Sequence, residues 1–358
     1  MNYCNVALKP DEKAIYGLRE LYLRHGYRHY KVGKFEEYDL YAANKSFLKG
    51  DSILSFTDTD GKLMALKPDV TLSIIKNIDD KDGAVHKFFY NENVYRTSAS
   101  FGGFREIMQT GLECIGEIDT YSVCEVLTLA EESLRLIDEN CILAVSHMGF
   151  VSGLFEECGF DEVEAREALG YISSKNSHAL REMAKGVNAT EKVIEALDFA
   201  ARFYGTLGNA LKTMKGFCFN ERISEAYSEL LDVCEAIEDK ELYADFSLVN
   251  DMNYYNGIIF KGYIDGIPDS ILSGGRYDSL VKKMGKSSGA IGFAVYLDLL
   301  ERFYKENDEG SIDVLLVYGK DTSPSEVARK ARELVGNGLS VRVLSADDGK
   351  KYAVKMKI

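Results

Sequence analysis

The chain contains no tryptophan and only 4 prolines among its 358 residues. The low proline content argues against long disordered stretches. Hydrophobic residues make up 46% of the chain and charged residues 28%, which is an ordinary globular composition. A chain of this length can bury a large core, and we expect two or three domains.

Long apolar runs and export signals are also missing. No apolar run approaches the length that a membrane-spanning helix needs. The first residues, MNYCNVALKPDEKA, lack the basic-then-apolar pattern of a signal peptide. The 7 cysteines are scattered, without a CxxC pair, which indicates reduced, mostly buried thiols and neither a disulfide framework nor a zinc site. We therefore expect a soluble, cytoplasmic protein without a metal ion or other cofactor.

Basic residues are fewer than acidic ones. The chain has 43 lysines and arginines against 57 aspartates and glutamates, for a formal net charge of −14. A negative field of this size repels the phosphate backbone unless basic residues cluster locally. The charge therefore disfavours nucleic acid as a partner.

The most informative stretch is residues 88–116, FFYNENVYRTSASFGGFREIMQTGLECIG. Its aromatic and β-branched residues, followed by a turn of small residues, predict a β-hairpin. Period-two alternation places Gln109 and Glu113 on one face of the returning strand. With Arg96 opposite, a carboxylate, an amide and a guanidinium can hold a zwitterion. An ordinary solvent-facing hairpin with scattered charges fits these residues equally well.

A second pattern precedes this hairpin. Residues 52–66 predict a smaller hairpin with a turn at Thr59, Asp60 and Gly61. Pro68 then keeps the preceding residue out of the helical region, and residues 72–77 are predicted to be helical. Asp69 can cap this helix, or Asp69 and Thr71 can point from the helix start into a pocket. Both interpretations remain open at this stage.

The middle of the chain predicts helices around one buried strand. An amphipathic helix over residues 121–140 is followed by the strand CILAVSH at 141–147. Residues 149–237 are helical in pattern almost throughout, and we interpret them as an all-helical insertion without identifiable chemistry. His147 and His178 are interpreted as structural.

The sequence after residue 237 predicts an antiparallel strand pair within residues 244–263 and 271–278. Adjacent glycines at 274 and 275 indicate that backbone or ligand approaches closely there. A glycine-rich turn over 289–292 and an apolar helix over 293–303 are predicted next. Residues 311–344 predict one β-α-β unit, without further strands, that looks truncated.

Several motifs now stand in a fixed order: PDVT at 68–71, the arginine-bearing hairpin, QTGLECIG at 109–116, NYYNG at 253–257 and GGRYD at 274–278. Over roughly residues 10–305 this order resembles the catalytic domain of histidyl-tRNA synthetase, a class II synthetase. The tail, 311–358, resembles the first half of that family's anticodon-binding domain. The resemblance implies an α+β fold, an antiparallel sheet of about six strands flanked by helices.

The resemblance also implies a domain division and a binding site. The class II synthetase-like core comprises 1–148 and 238–308, the helical insertion 149–237, and a truncated anticodon-binding-like α/β segment 309–358. Aspartate stands at 69 where the synthetase has glutamate. The residues that match the family's histidine pocket are Asp69, Thr71, Arg96, Gln109, Glu113, Tyr254 and Tyr255.

The family's catalytic residues are not matched. Ser98 stands where synthetases have a glutamate, and Asp298 and Leu299 replace a Glu-Arg pair. Residues 250–253, Asn-Asp-Met-Asn, replace Arg-Gly-Leu-Asp. Loss of one positioned cation in phosphate chemistry can cost on the order of 10³-fold in rate. We therefore expect no adenylation and assign no catalytic residue.

A retained amino acid pocket without ATP chemistry resembles the regulatory subunits of ATP phosphoribosyltransferase. That resemblance implies a non-catalytic protein that works with a short catalytic subunit in the first step of histidine biosynthesis. It also implies histidine as a feedback ligand, and a homodimer, formed through residues 35–70, within a larger hetero-oligomer. Two alternatives remain: an active histidyl-tRNA synthetase, and an inactive synthetase paralogue with another role.

Overall fold

The computed structural model describes residues 8–48, 52–79, 84–98, 103–237, 242–249, 254–300 and 312–358. The chain divides into two compact units, Met1–Glu301 and Arg302–Ile358. The candidate site lies in the first unit.

The first part of this unit combines short strands with the central hairpin. Its helices are α1 (Pro10–Arg24), α2 (Tyr38–Ala43), α3 (Thr71–Asn77) and α4 (Thr120–Ile137). Its strands are β1 (Arg28–His29), β2 (Phe35–Glu37), β3 (Ser55–Thr57), β4 (Leu63–Leu66), β5 (His86–Ser98), β6 (Gly103–Gly116) and β7 (Cys141–His147).

The next part is helical and returns to the sheet. Its helices are α5 (Met148–Cys158), α6 (Glu162–Ser173), α7 (Ser177–Gly186), α8 (Glu191–Arg202), α9 (Leu207–Met214), α10 (Glu221–Ala236) and α11 (Asp278–Lys283). Its strands are β8 (Gly205–Thr206), β9 (Tyr243–Ala244), β10 (Ile258–Ile264), β11 (Leu272–Arg276) and β12 (Gly289–Tyr296). Single 3₁₀ turns occur at Lys45–Phe47 and Lys215–Phe217.

A nine-stranded sheet of order β1-β5-β6-β12-β11-β10-β7-β9-β8 organises the first unit. From β5 to β7 the pairings are antiparallel, whereas β1–β5 and β7–β9 are parallel. The expected α+β class is confirmed. The expected six antiparallel strands form the centre, and three two-residue strands extend the sheet beyond them.

The prediction of a turn at 289–292 and a helix from 293 was wrong. Residues 289–296 form β12, and helical conformation begins at Leu297. This strand lies between β6 and β11 and is buried along most of its length. A strand covered on both faces shows no apolar–polar alternation, so an apolar run there cannot be told from a helix by period alone.

The expectation that residues 149–237 are mainly helical is confirmed, with β8 as an added strand. Asp161 caps α6 by accepting from the backbone N–H groups of Val163 and Glu164. Inside, Phe150 and Phe199 pack around Phe246, with ring centroids 4.9 and 5.6 Å from it. Aromatic burial of this kind joins the helices to the chain that follows them.

The predicted hairpin at 52–66 is confirmed as β3 and β4, which form a separate sheet of order β2-β4-β3. Immediately after β4, the fully buried Lys67 ammonium lies 2.5 Å from Glu92 Oε2. Glu92 Oε1 also accepts from the backbone N–H of Val32 at 3.1 Å. The buried ion pair has its hydrogen bonds supplied, which anchors the chain just before α3.

The second unit contains β13 (Val314–Val317), α12 (Pro324–Gly336), β14 (Val341–Leu344) and β15 (Val354–Lys357). Its strands are parallel, in the order β14-β13-β15. The predicted β-α-β unit is confirmed, but the expectation of no further strand was wrong. The β15 segment, VKMK, alternates apolar residues with exposed lysines and is too short to stand out.

Candidate functional site

The structure brings all seven sequence-predicted site residues to one pocket. They come from the start of α3, from both strands of the central hairpin and from the segment before β10. Residues that the sequence did not single out complete its walls: Tyr90, Ser273, Tyr277, Phe293 and Tyr296. Five of the wall residues are tyrosines.

Strand register explains how β6 presents its polar side chains. Gln109 and Glu113 are four residues apart and lie opposite Tyr296 and Gly292 of β12. A Cβ atom on Gly292 would collide with the Glu113 carboxylate and with the backbone oxygen of Leu112. Glycine is therefore required at 292 for the glutamate to fit between the strands.

Glu113 is the most deeply buried acid of the site, with 2% of its surface exposed. Thr71 Oγ1 donates to its Oε1 at 2.6 Å, and the Tyr277 hydroxyl donates to its Oε2. Burial raises the pKa of Glu113 to about 8, against the effect of the two hydroxyl donors and with a contribution from nearby Asp69. The carboxyl is therefore largely protonated at neutral pH when the pocket is empty.

Asp69 performs both of the tasks that the sequence left open. Its Oδ1 accepts from the backbone N–H of Leu72 at 2.9 Å, in the first turn of α3. Its Oδ2 lies 3.6 Å from the guanidinium of Arg96, whose Nε donates to the backbone oxygen of Pro68 at 2.6 Å. A guanidinium has five N–H donors, so Arg96 keeps donors beyond these contacts for an anionic group.

Gln109 has an unmet hydrogen-bonding demand. Its Nε2 lies 3.4 Å from the Tyr90 hydroxyl. Its Oε1 is buried, and no group in the described part of the chain donates to it. A buried acceptor without a donor is uncommon and requires an explanation. A bound ammonium or N–H group would supply it.

Aromatic side chains form the remaining wall. The rings of Tyr254 and Tyr255 meet edge to face with centroids 4.5 Å apart, and the Tyr277 ring lies 6.3 Å from that of Tyr254. Burial raises the pKa of each of these tyrosines well above its usual value. Their hydroxyls stay protonated, that of Tyr277 donating to Glu113, and their faces suit a flat or cationic group.

The open space in this pocket is small, about 40 Å³. At about 10–15 Å³ for each water, that is room for about three waters. The side chains therefore contact one another across most of the pocket. An amino acid would need at least one of them to move.

The positions of the missing synthetase residues are only partly described. Ser98 ends β5 opposite Gly103, and Leu299 lies in the helical residues 297–300. Residues 250–253, where the sequence lacks the family's Arg-Gly-Leu-Asp, lie outside the described residues. Within the described ranges no group of three or more His, Cys, Asp or Glu side chains is placed to hold a metal ion.

Three of the wall residues show what sequence reasoning could and could not find. Tyr277 belongs to the GGRYD motif, which contributes to the family resemblance but in which only the glycines carry a local structural signal. Tyr296 falls in the run that was mistaken for a helix. Tyr90 carries no signal of its own within an aromatic strand.

In the described residues no helix has the length and apolarity to cross a membrane.

Comparison with known proteins is consistent with this fold. A crystal structure from Bacillus halodurans C, described as an ATP phosphoribosyltransferase regulatory subunit/histidyl-tRNA synthetase, superposes with a TM-score of 0.77 at 24% identity, covering 97% of this chain and 93% of that one. An ATP phosphoribosyl transferase (HisG:HisZ) complex from Thermotoga maritima matches with a TM-score of 0.63 at 20% identity, covering 80% and 97%. These matches define a class II synthetase-like fold.

The sequence matches are more specific. The family model described as histidyl-tRNA synthetase matches residues 8–300. A relative from Clostridium kluyveri, an ATP phosphoribosyltransferase regulatory subunit, is 30% identical over 350 residues, covering 93% of this chain and 89% of that protein. The chain belongs to the histidyl-tRNA synthetase family and, within it, to the ATP phosphoribosyltransferase regulatory subunits.

Proposed function

We propose that this chain is the non-catalytic regulatory subunit of an ATP phosphoribosyltransferase. It acts with a short catalytic subunit in the first step of histidine biosynthesis and takes part in feedback inhibition by histidine. The supporting relatives carry that name, and one matching fold comes from an ATP phosphoribosyl transferase complex. The observation that carries the proposal is the amino acid pocket with its unsatisfied Gln109 oxygen.

Free histidine is the ligand we assign to this pocket. Its carboxylate lies at Arg96, and its ammonium lies among Asp69, Gln109 and Glu113. Gln109 Oε1 gains in this way the donor that it lacks in the empty pocket. Thr71 holds Glu113 in place through its hydroxyl.

The tyrosines take the side chain of the ligand. The edge-to-face pair of Tyr254 and Tyr255 walls a flat imidazole and offers it hydroxyl donors. The opposing interpretation is that these residues only pair with one another, as the remnant of a lost substrate site, and bind no ligand. The Gln109 oxygen argues against it, because a closed relic has no reason to keep a buried acceptor without a donor.

The assignment as non-catalytic depends on residue identities. Ser98 and Leu299 stand where the family places a glutamate and an arginine, and Asn250 stands where it places a second arginine. Two of the cations that the family places against the phosphates of ATP are therefore missing, and with them the stabilisation of the charge that develops there. The pocket then binds the amino acid without activating it.

A homodimer through the β2-β4-β3 sheet is part of the proposal. This small sheet exposes Phe35, Phe56 and Leu63 at 53%, 36% and 48% of their surfaces. The rings of Phe35 and Phe56 lie 5.1 Å apart and form one continuous apolar area. Clustered exposed apolar side chains of this kind mark a contact surface.

The partner experiment tests the main proposal. The full-length chain and the short catalytic subunit of the same organism are mixed at micromolar concentration and run on a sizing column, and phosphoribosyl transfer is then measured with and without histidine. We expect co-elution, together with a change in turnover or in histidine sensitivity. Two proteins that elute separately and leave the turnover unchanged would favour an inactive paralogue with another role.

A further inference from the structure

A second and much larger cavity adjoins the amino acid pocket. It measures about 660 Å³, a size ordinary for a ligand-sized cavity. Helices α5, α6 and α10 of the helical insertion form one side of it, through residues such as Ser152, Ala165 and Arg222, and Phe160 joins them from the loop between α5 and α6. Tyr255 and Asn256 form the side that faces the sheet. Tyr255 also lines the amino acid pocket.

The two cavities lie on either side of the Tyr255 side chain, and they differ greatly in free volume. The pocket offers about 40 Å³ and the insertion cavity about 660 Å³. An amino acid cannot enter the pocket unless a wall side chain moves, and movement requires unoccupied space. Tyr255 has such space directly beside it.

Several walls of the pocket are held by hydrogen bonds or by close contact with the sheet. Glu113 is bonded by Thr71 and Tyr277, which fixes those three side chains relative to one another. Tyr90 and Tyr255 both lie against strand glycines, since a Cβ atom on Gly111 would collide with the Tyr90 hydroxyl and one on Gly275 with the Tyr255 ring. What distinguishes Tyr255 is that, among the residues lining these two cavities, it alone lines both of them.

Resting on the function proposed above, we propose that histidine enters the pocket by displacing the Tyr255 side chain into the insertion cavity. The helical insertion thereby senses whether the pocket is occupied. The displaced ring fills space between the sheet and helices α5, α6 and α10. Packed elements respond to such an insertion by shifting as bodies, which carries the signal away from the pocket.

Backbone contacts join Tyr255 to the insertion over a short distance. The N–H of Asn256 donates to the backbone oxygen of Arg276 at 3.1 Å, and the oxygen of Gly257 accepts from the N–H of Met148 at 2.9 Å. Met148 is the first residue of α5. A shift at 255 is therefore transmitted to the start of that helix.

A side-chain pair extends the path to α10. His147 Nδ1 accepts from the N–H of Gly149 at 3.0 Å, so its other nitrogen, Nε2, carries the proton and donates to Glu229 Oε2 at 2.7 Å. Glu229 belongs to α10, and its charge is stabilised further by Arg276 at 3.5 Å. Two of the three helices that border the cavity, α5 and α10, are thus coupled to the segment that carries Tyr255.

The absence of tryptophan gives a direct test of the displacement. Phe160→Trp places a single reporter in the insertion cavity, and Phe203→Trp places one on the insertion at a residue that does not line the cavity. Each full-length variant is titrated with histidine, alone and with the catalytic subunit, and tryptophan emission is recorded. We expect a saturable change with Phe160→Trp and none with Phe203→Trp.

A second pair of variants tests whether the empty space is needed. Ser152→Phe fills the cavity from α5 without touching the pocket, whereas Ser228→Phe adds the same side chain on the exposed face of α10. We expect the histidine Kd, measured by calorimetry, to rise about tenfold or more for Ser152→Phe and to stay unchanged for Ser228→Phe.

The outcomes separate this proposal from the function it rests on. Histidine binding with unchanged Phe160→Trp emission, or with wild-type affinity in Ser152→Phe, would overturn the displacement and leave the regulatory function standing. If Ser152→Phe fails to fold, the emission titration decides alone. If the wild type binds no histidine at millimolar concentration, with or without its partner, both proposals fall together.

Discussion

The burial of Glu113 predicts that histidine binding depends on pH. With a pKa of about 8, the carboxyl in the empty pocket is ionised in about one molecule in eleven at pH 7 and in about one in two at pH 8. Only the carboxylate forms an ion pair with the ammonium of the ligand. Affinity should therefore rise about fivefold from pH 7 to pH 8, with about one proton released for each histidine bound at pH 7.

The substitution Glu113→Gln keeps the shape of the side chain and removes its charge. Losing a charge-assisted hydrogen bond costs about 1.5–3 kcal/mol, or about 10- to 150-fold in affinity, for a fully ionised partner. At pH 7 the wild type must first ionise the carboxyl, which offsets about tenfold of that difference. The variant should bind about 1- to 15-fold more weakly at pH 7 and about 5- to 75-fold more weakly at pH 8.

Isothermal titration calorimetry in two buffers of different ionisation enthalpy measures both the affinity and the proton release. The matched control is Glu106→Gln, the same change on the same strand at an exposed residue outside the pocket. That control should keep the wild-type pH slope, and Glu113→Gln should lose it. A wild-type affinity that is flat from pH 7 to pH 8, with equal heats in both buffers, would refute the reasoning.

Three further predictions concern stability, assembly and chemistry. Because the folded state raises the pKa of Glu113 from 4.5 to about 8, the folded protein keeps this proton longer than the unfolded chain, and ligand-free stability should fall as pH rises across that window. The loss is on the order of 3 kcal/mol between pH 5 and pH 8 in urea unfolding, and a slope retained in Glu113→Gln would contradict it. Phe35→Asp should convert the proposed dimer into a monomer in light scattering, whereas Val335→Asp, another exposed apolar residue, should not; two unchanged dimers would place the interface elsewhere. Purified protein should show no histidine-dependent exchange of pyrophosphate into ATP, and exchange at a synthetase-like rate would sink the regulatory function.

The polar half of the pocket was predictable from sequence for a simple reason. The spacing of four between Gln109 and Glu113 fixes their common face once the segment is known to be a strand. The hairpin fold that brings Arg96 to the same region follows from its aromatic strands and small-residue turn. These inferences use only local periodicity and chain reversal, and the structure bears out the strands on which they depend.

The aromatic half was not predictable in the same way. Tyr277 and Tyr296 reach the pocket because β11 and β12 lie in the order β6-β12-β11, a non-local arrangement. The run containing Tyr296 is apolar on both faces, which removed the alternation that identifies a strand. Pairing between distant strands is not readable from one sequence, so these walls appeared only in three dimensions.

The protonation state of Glu113 is the property of the pocket that the sequence indicates least. A glutamate in a strand gives no indication of its charge, since the pKa depends on what surrounds it in space. Here Gly292 admits the side chain into the sheet, and hydroxyls from Thr71 and Tyr277 satisfy its oxygens. Those groups come from three separate segments, so the charge state follows from the fold as a whole.

The closed pocket and the protonated Glu113 are two aspects of one physical situation. Space for about three waters cannot solvate a carboxylate, so the acid stays neutral until a cation arrives. The entering ammonium supplies that charge, and the entering imidazole requires the room that Tyr255 occupies. Ionisation of Glu113 and displacement of Tyr255 are therefore expected to occur in the same binding event. A small ammonium ion that fits the free volume of the pocket should consequently release the proton without moving the tyrosine, and the calorimetric and fluorescence signals would then separate.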